Sequence, residues 1–223
     1  MKRAELAKRL VASELAIGRT EQQVASFVRQ AARRGMLGVC VYQNMVLTAV
    51  EAAGESGLKV FTVAGFPSGI DMPVTKVSDV ELSTRRGASE VAMGVNLSAW
   101  KSKDLETLQE ELRGASEAAH RGGGRLSAVL NTFQLEDEEA VQLAGLCAGW
   151  GADAVKTTCG DSVIPRATGI RDVALIYGAV KGRAVVEAEG QISTLESALA
   201  LLDAGAGVIY SSDAFSILDC AEE

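Results

Sequence analysis

The sequence predicts a (β/α)8 barrel that occupies residues 1–223 as one domain. Apolar segments alternate with helical segments of about 10 to 18 residues along the chain, without a linker or a low-complexity stretch. The apolar segments are continuous, as is typical of parallel strands buried on both faces. Regular alternation of such strands with helices favours a parallel sheet with helical crossovers, and eight units in a chain of this length close into a barrel.

The first strand is predicted in segment 10–15. This segment fits either a short strand or part of a helix, and as a strand it supplies the eighth strand that a barrel needs. The other strands are predicted over 37–42, 58–64, 89–96, 126–131, 184–188 and 207–211, with one more in 151–160, where an apolar run ends in a polar turn. Helices are predicted over 20–35, 44–56, 73–86, 103–120, 136–148, 170–182 and 194–204, and from 212 to the end. Thr20 provides an N-cap for the first of these helices and Gly35 a stop signal. An open doubly wound sheet is the alternative, but no G-x-G-x-x-G fingerprint follows the first strand.

Composition and charge argue against several classes of function. Hydrophobic residues make up 48% of the chain and aromatic residues only 4%, so the core must consist of Ala, Val, Leu and Ile. The net charge of −7 and the lack of a basic block argue against a nucleic-acid partner. No apolar run is long enough for a membrane span, and the charged N-terminus does not resemble a signal peptide. We therefore expect a cytoplasmic protein whose four widely spaced cysteines are free thiols. The only histidine, His120, ends the predicted helix over 103–120 beside a probable loop over 121–125, and we interpret it as a solvated loop residue rather than a ligand. This argues against a histidine triad or a metal centre.

Lys156 is the residue from which a function can be argued. Ala152, Ala154 and Val155 predict a buried strand, and a lysine is almost never fully buried without a partner or a role. Desolvation lowers the pKa of a lysine, and a neutral amine can attack a carbonyl to form a Schiff base. The alternative is a lysine whose stem packs while its ammonium group reaches water. A position at the mouth of a barrel, where chemistry is found in this fold, favours the nucleophile.

The C-terminal ends of the other strands supply further candidate site residues. They are Tyr42, Asn96, Asn131, Thr157, Thr158, Cys159, Glu187 and Ser211. The sequence allows Cys159 to be either a pocket residue or a core residue.

In segments 39–42, 62–69, 151–160 and 188–205, and in the pair Ser211-Ser212, the chain resembles the deoxyribose-phosphate aldolase family in order and spacing. Residues 151–160 resemble the family's Schiff-base strand, with Lys156 at the position of the lysine that attacks the carbonyl. Segments 39–42 and 62–69 resemble the second strand and the strand and loop that end in Phe-Pro-x-Gly. Segment 188–205 resembles the end of the seventh strand, a glycine pair of which Gly190 is retained, and the following helix. Ser211 and Ser212 lie where the family places phosphate-binding serines.

The resemblance implies a class I aldolase that cleaves 2-deoxyribose 5-phosphate to acetaldehyde and glyceraldehyde 3-phosphate. It implies a lysine imine, no metal, no organic cofactor, and a monomer or a homodimer. The predicted catalytic residues are Lys156 and Glu187. The predicted substrate-binding residues are Asn96, Asn131, Thr158, Cys159, Gly190, Ser211 and Ser212.

The chain also departs from the family's pattern at positions that carry chemistry. Ala92 replaces an aspartate that works with water in proton transfer, and Glu187 replaces a second lysine. Val11, Ser127 and Asn131 replace further charged residues of the first and fifth strands, and Gln191 and Asp213 change the phosphate loops. A carboxylate beside Lys156 raises the pKa of the lysine, and a carboxylate at the phosphate site repels the phosphate.

These departures leave three hypotheses. The first is the aldolase reaction on 2-deoxyribose 5-phosphate, with Lys156 as the nucleophile. The second keeps the imine but acts on a carbonyl compound without a phosphate, with Glu187 as the general acid or base. The third is an inactive paralogue that acts as a binding protein, in which Lys156 and Glu187 are a buried ion pair.

Overall fold

The structure, a computed structural model, describes residues 1–160 and 165–222. Its eight strands are all parallel and close into a barrel in sequence order, with the last strand paired to the first. They are β1 (Leu10–Glu14), β2 (Gly38–Val41), β3 (Lys59–Ala64), β4 (Glu90–Gly94), β5 (Arg125–Val129), β6 (Ala154–Lys156), β7 (Val185–Ala188) and β8 (Val208–Ser211). The predicted (β/α)8 barrel is confirmed, and the ambiguous segment near residue 10 is its first strand.

Helices cover the outside of this barrel. They are α1 (Arg3–Ala7), α2 (Glu21–Arg33), α3 (Val46–Ala53), α4 (Pro73–Arg85), α5 (Leu97–Lys101), α6 (Leu105–Arg121), α7 (Asp137–Gly149), α8 (Ile170–Val180), α9 (Leu195–Asp203) and α10 (Ala214–Asp219). Thr20 caps α2 as predicted, because its hydroxyl accepts a hydrogen bond from the Gln23 N–H while the Gln23 side chain accepts one from the Thr20 N–H. No helix in the described part of the chain has the length and apolar character needed to cross a membrane.

Two predictions about local structure were wrong. The interpretation of His120 as a solvated loop residue was wrong, although the predicted helix over 103–120 did reach it. The residue lies in the last turn of α6, and its Nε2 is 2.9 Å from the Asp153 carboxylate. The helix continues through His120 because the glycine run that ends it begins only at Gly122. The final helix is also shorter than predicted, since it begins at Ala214 and ends at Asp219.

The apolar side chains form two separate clusters, because successive residues of a strand point to opposite faces of the sheet. The larger cluster lies between the strands and the helices. The smaller one fills the barrel interior and contains Val11, Cys40, Phe61, Val63, Ala92, Val129, Cys159 and Tyr210. Several of these interior side chains are small. The interior therefore also holds buried polar groups, among them Lys156, Glu187 and Glu90.

Candidate active site

Lys156 is the last residue of β6, and its side chain is fully buried in the barrel interior. It pairs in register with Glu187 of β7 on one side and with Val129 of β5 on the other. Neighbouring residues in register on a parallel sheet project to the same face, so Lys156 and Glu187 both point into the barrel. The two residues predicted to be catalytic are therefore brought together.

Three groups surround the Lys156 ammonium nitrogen. The Glu189 Oε2 atom lies 3.4 Å away and the Glu187 Oε2 atom 3.6 Å away. The Tyr210 ring lies beneath the nitrogen, with its centroid at 3.2 Å, in a cation–π contact. Within the described residues the nitrogen has no hydrogen-bond partner, so its contacts with these three groups are electrostatic.

These neighbours decide the charge of the lysine. Burial by itself lowers the pKa of the Lys156 ammonium group, but the attraction of Glu189 and Glu187 more than compensates, and the net pKa is raised above its usual value. The resting lysine is therefore protonated at neutral pH. The nucleophilic role predicted for Lys156 would require a nearby base to take this proton first.

Glu187 is held by hydrogen bonds from two other strands. The Ser127 hydroxyl donates to Glu187 Oε2 at 2.7 Å, and the Tyr210 hydroxyl lies 3.2 Å from Glu187 Oε1. The same tyrosine hydroxyl lies 3.0 Å from Glu90 Oε1. Burial raises the pKa of Glu90 well above its usual value, and the negative charge of Glu187 adds to this effect. The barrel interior thus contains a connected group of ionisable side chains on four strands.

A cavity of about 310 Å³ lies at the C-terminal mouth of the barrel, directly above this group. Its polar lining residues include Ser13, Glu14, Arg19, Glu189 and Ser212. Glu189 connects this cavity to the interior, because it lines the cavity and also contacts the Lys156 nitrogen. A molecule in this cavity would be separated from the lysine by a single carboxylate.

A second cavity, of about 390 Å³, lies at the opposite, N-terminal mouth of the barrel. Four basic residues line it, namely Lys8, Arg9, Lys59 and Arg125. Glu90 and Glu187 also line it, so the ionisable group that contacts Lys156 reaches both ends of the barrel.

The predicted binding residues Asn131, Thr158 and Cys159 lie together near the end of β6. The Thr158 hydroxyl donates to the Asn131 side-chain oxygen at 3.1 Å, and the Asn131 amide donates to the Pro67 carbonyl at 3.4 Å. Cys159 belongs to the interior apolar cluster, and burial raises the pKa of its thiol. All three are buried, and this arrangement favours the core interpretation of Cys159.

The other predicted binding residues are more dispersed. Asn96 caps α5 by accepting a hydrogen bond from the Ala99 N–H at 3.1 Å. The Gly190 carbonyl accepts from the Thr168 N–H at 3.0 Å. The Ser211 hydroxyl donates to the Ile192 carbonyl at 2.5 Å and accepts from the Asp213 N–H at 2.8 Å, whereas Ser212 lines the C-terminal cavity. The role of each residue in binding stays a prediction.

Sequence reasoning assigned no role to Glu189, Tyr210 and Glu90. A usable signal existed for Glu189, because it lies two residues after Glu187 and a strand places residues i and i+2 on the same face. No local signal marked Tyr210 or Glu90, because their contact joins residues 120 positions apart. Within residues 1–160 and 165–222, no three His, Cys, Asp or Glu side chains are grouped so that they could hold a metal ion.

Comparison with known proteins identifies similar chains along the full length. A deoxyribose-phosphate aldolase from Aciduliprofundum boonei is 31% identical over 98% of this chain and 97% of its own. The enzyme of that name from Aquifex aeolicus is 34% identical over 90% and 89% of the two chains. A solved structure described as QR15, an aldolase, superposes with a TM-score of 0.90 at 32% identity and covers 96% of this chain and 95% of its own. The tetrameric deoxyribose phosphate aldolase from Aeropyrum pernix superposes with a TM-score of 0.88 at 25% identity, over 97% and 91% of the chains. The sequence profiles of known protein families give no match.

Proposed function

Because the chain belongs to the deoxyribose-phosphate aldolase family, we propose that it is a class I aldolase that cleaves 2-deoxyribose 5-phosphate to acetaldehyde and glyceraldehyde 3-phosphate. The observation that carries this proposal is the position of Lys156. It ends β6 inside the barrel and lies between one carboxylate that faces the C-terminal cavity, Glu189, and one that faces away from it, Glu187. A lysine flanked by two bases can be deprotonated without access to bulk water.

The reaction begins with transfer of a proton from the Lys156 ammonium group to a neighbouring carboxylate. The free amine attacks C1 of the sugar aldehyde, and loss of water gives a protonated imine. Glu189, which lines the cavity, removes the proton of the C3 hydroxyl group. The C2–C3 bond then breaks, its electron pair moves toward the imine nitrogen, and glyceraldehyde 3-phosphate leaves. Protonation of the remaining enamine and hydrolysis release acetaldehyde and restore the amine.

The phosphate group would lie at the rim of the C-terminal cavity. Arg19 supplies the positive charge there, and Ser212 supplies a hydroxyl group. Arg19 also pairs with Glu14, whose carboxylate lies 3.1 Å from the Arg19 Nε. A phosphate would therefore share this guanidinium group with Glu14.

A second candidate function is imine chemistry on a carbonyl compound without a phosphate. Two observations favour it. The C-terminal cavity is lined by two carboxylates, Glu14 and Glu189, against one arginine. The Ser211 hydroxyl group is already engaged in hydrogen bonds within the protein. Both observations weaken the attraction for a dianion compared with that for a neutral sugar.

Borohydride trapping tests the imine, and a cleavage assay tests the substrate. The wild-type protein and Lys156→Ala are treated with acetaldehyde and borohydride, and the adduct is located by intact mass and peptide mapping. We expect an adduct on Lys156 of the wild type, none in the variant, and none on Lys76, the other fully buried lysine. Faster cleavage of 2-deoxyribose 5-phosphate than of 2-deoxyribose would support the first function, and the reverse order would support the second. Failure of the wild type to form an adduct with any aldehyde from neutral to alkaline pH would contradict both and leave the inactive binding protein.

The proposed enzyme acts on a small sugar phosphate or carbonyl compound. The four cysteines are free thiols and three of them are buried, which supports a reducing compartment such as the cytoplasm. The Aeropyrum pernix protein is a tetramer, and a homodimer of this chain stays a prediction.

A further inference from the structure

A continuous series of polar groups leads from Lys156 to the N-terminal mouth of the barrel. The lysine nitrogen lies 3.6 Å from Glu187 Oε2, and Glu187 Oε1 lies 3.2 Å from the Tyr210 hydroxyl. That hydroxyl lies 3.0 Å from Glu90 Oε1. All four side chains are at least 98% buried, yet Glu90 and Glu187 line the N-terminal cavity. The series thus begins at the nucleophile and ends at a space that water can fill.

The proton count fixes the direction of these hydrogen bonds. The Tyr210 hydroxyl has one hydrogen atom, so it cannot donate fully to both carboxyl groups. One carboxyl group must itself carry a proton and donate it to the tyrosine oxygen. Glu90 is the protonated one, since burial raises its pKa and Glu187 raises it further. Glu187 is the carboxylate, because it accepts from Ser127 and faces the Lys156 ammonium group.

The charged groups around the series act on Glu90 in both directions: the nearby cations lower its pKa, but burial and Glu187 raise it and outweigh them. Arg125 Nε lies 3.7 Å from Glu90 Oε2, at the end that faces the cavity. Lys8, Arg9 and Lys59 line the same cavity. At the other end Lys156 is shared between Glu187 and Glu189. The thiols of Cys40 and Cys159 also face this region, and both are neutral because burial raises their pKa values.

We propose that Glu187, Tyr210 and Glu90 form a proton path through the barrel interior, by which Lys156 exchanges its proton with water at the end opposite to the substrate cavity. The inference rests on the proposed function, because imine formation requires the free amine. The ammonium group of Lys156 transfers a proton to Glu187, and Glu90 releases its own proton to a water molecule in the N-terminal cavity. Tyr210 then accepts the proton of Glu187 while it donates its own to Glu90. The net change is one proton moved from Lys156 to water, with Glu187 again ionised and Glu90 again protonated.

This path separates two proton transfers that an aldolase must perform near one lysine: removal of the proton of the lysine itself and removal of the proton of the substrate hydroxyl group. The C-terminal cavity is occupied by substrate when the amine has to lose its proton. Release through the opposite mouth leaves Glu189 available for the proton of the substrate hydroxyl group. The four cations at the N-terminal mouth repel hydronium and so favour the departure of a released proton.

Tyr210→Phe is the variant that tests the path. It keeps the ring over the Lys156 nitrogen and the edge contact with Phe61, removes only the bridging hydroxyl group, and changes no charge. We expect imine formation with acetaldehyde, followed by borohydride trapping, to be slower by about 10²-fold at neutral pH, within the range for positioned proton-transfer groups. The difference in the rate of imine formation between the variant and the wild type should become smaller at alkaline pH, where hydroxide can take the proton of Lys156 instead.

Ser127→Ala is the matched control, because it removes the other hydrogen bond to the Glu187 carboxylate but lies outside the path. If the tyrosine only orients Glu187, the two variants will slow the reaction equally and with the same pH profile, and the path is then wrong. We expect Ser127→Ala to have the smaller effect and to keep the wild-type pH profile.

A measurement that needs no substrate separates the path from the proposed function. Infrared difference spectra of the wild type and Glu90→Gln at neutral pH should contain the carbonyl stretch of one protonated carboxyl group, lost in the variant. Absence of this band overturns the path, whatever the activity. If the band is present but the wild type forms no imine with any aldehyde, the proposed function fails and so does the role of the path in supplying the amine.

Discussion

Two lysines of this barrel, Lys76 and Lys156, are both completely buried, but their nitrogens have different surroundings. Lys76 Nζ donates hydrogen bonds to the Gly69 carbonyl at 2.7 Å and the Gly94 carbonyl at 3.0 Å, and lies 2.6 Å from a Glu111 carboxylate oxygen. Two of its three ammonium donors are thus used in hydrogen bonds, and the Glu111 carboxylate supplies the opposite charge. It joins the loop after β3 to the end of β4 and has a structural role.

Lys156 has no such hydrogen bonds within the described residues. Its two carboxylates lie at 3.4 Å and 3.6 Å, and its third neighbour is an aromatic ring. Burial lowers the pKa of Lys76 more than Glu111 raises it, whereas the two carboxylates raise the pKa of Lys156 above its usual value. The comparison shows that burial alone does not separate the two lysines, because both side chains are fully buried. Unsatisfied donors next to bases distinguish Lys156.

The largest effect is expected from the two carboxylates beside Lys156. Glu189→Gln should lower kcat for cleavage by about 10²- to 10⁴-fold, because it removes the base that faces the substrate. Glu187→Gln leaves that base in place, so its kcat should fall less. Either change removes a negative charge, lowers the pKa of Lys156, and moves the pH midpoint of borohydride trapping to lower values. Equal losses of kcat in the two variants would contradict the proposal that Glu189, and not Glu187, is the base that acts on the substrate.

The second effect concerns Lys76 and is one of stability. Lys76→Met leaves Glu111 buried without its cation and should lower the free energy of unfolding by about 3–5 kcal/mol in urea titrations. The double variant Lys76→Met/Glu111→Leu should recover most of this loss, because a buried ion pair can be replaced by apolar groups of similar volume. If Lys76→Met is as stable as the wild type, Lys76 does not have the structural role that distinguishes it from Lys156.

A smaller effect is expected from a substitution at the rim of the C-terminal cavity, where we propose that the phosphate binds. Arg19→Gln should raise KM for 2-deoxyribose 5-phosphate by about 10- to 100-fold, since a hydrogen bond to a charged group contributes about 1.5–3 kcal/mol. Lys59→Gln at the opposite mouth is the control and should leave KM unchanged. An Arg19 variant with the wild-type KM would support the substrate without a phosphate.

The smallest effect is a dependence of stability on pH. The pKa of Glu90 is raised in the folded protein, so the folded state binds more protons than the unfolded state above the ordinary glutamate pKa, and stability falls as pH rises. Each unit of this shift corresponds to about 1.4 kcal/mol. Glu90→Gln cannot ionise and should therefore be more stable than the wild type at neutral pH, with the difference disappearing as pH falls below about 4.5. Thermal melts of both proteins across this pH range measure the difference in stability. A difference that does not change with pH would contradict the raised pKa of Glu90.

Much of the fold could be predicted because its signals are local. The runs around Val39, Val60 and Val91 are continuous and apolar, and Thr20 and Gly35 mark the ends of one helix. The segment at Leu10 was ambiguous because five residues provide too few periods to separate strand from helix. His120 was misplaced because a glycine run signals the end of a helix only approximately.

The amino-acid sequence is sufficient to predict the order of eight βα units, the position of Lys156 at a strand end, and the presence of Glu187 on the next strand. These features depend on residues that are close along the chain. Only the folded barrel establishes that Lys156 is fully buried, that Glu189 contacts both Lys156 and the C-terminal cavity, and that Tyr210 joins Glu187 to Glu90. Closure of the barrel brings side chains of β4, β7 and β8 together across its interior. No local pattern encodes that meeting, because it follows from the register of all eight strands.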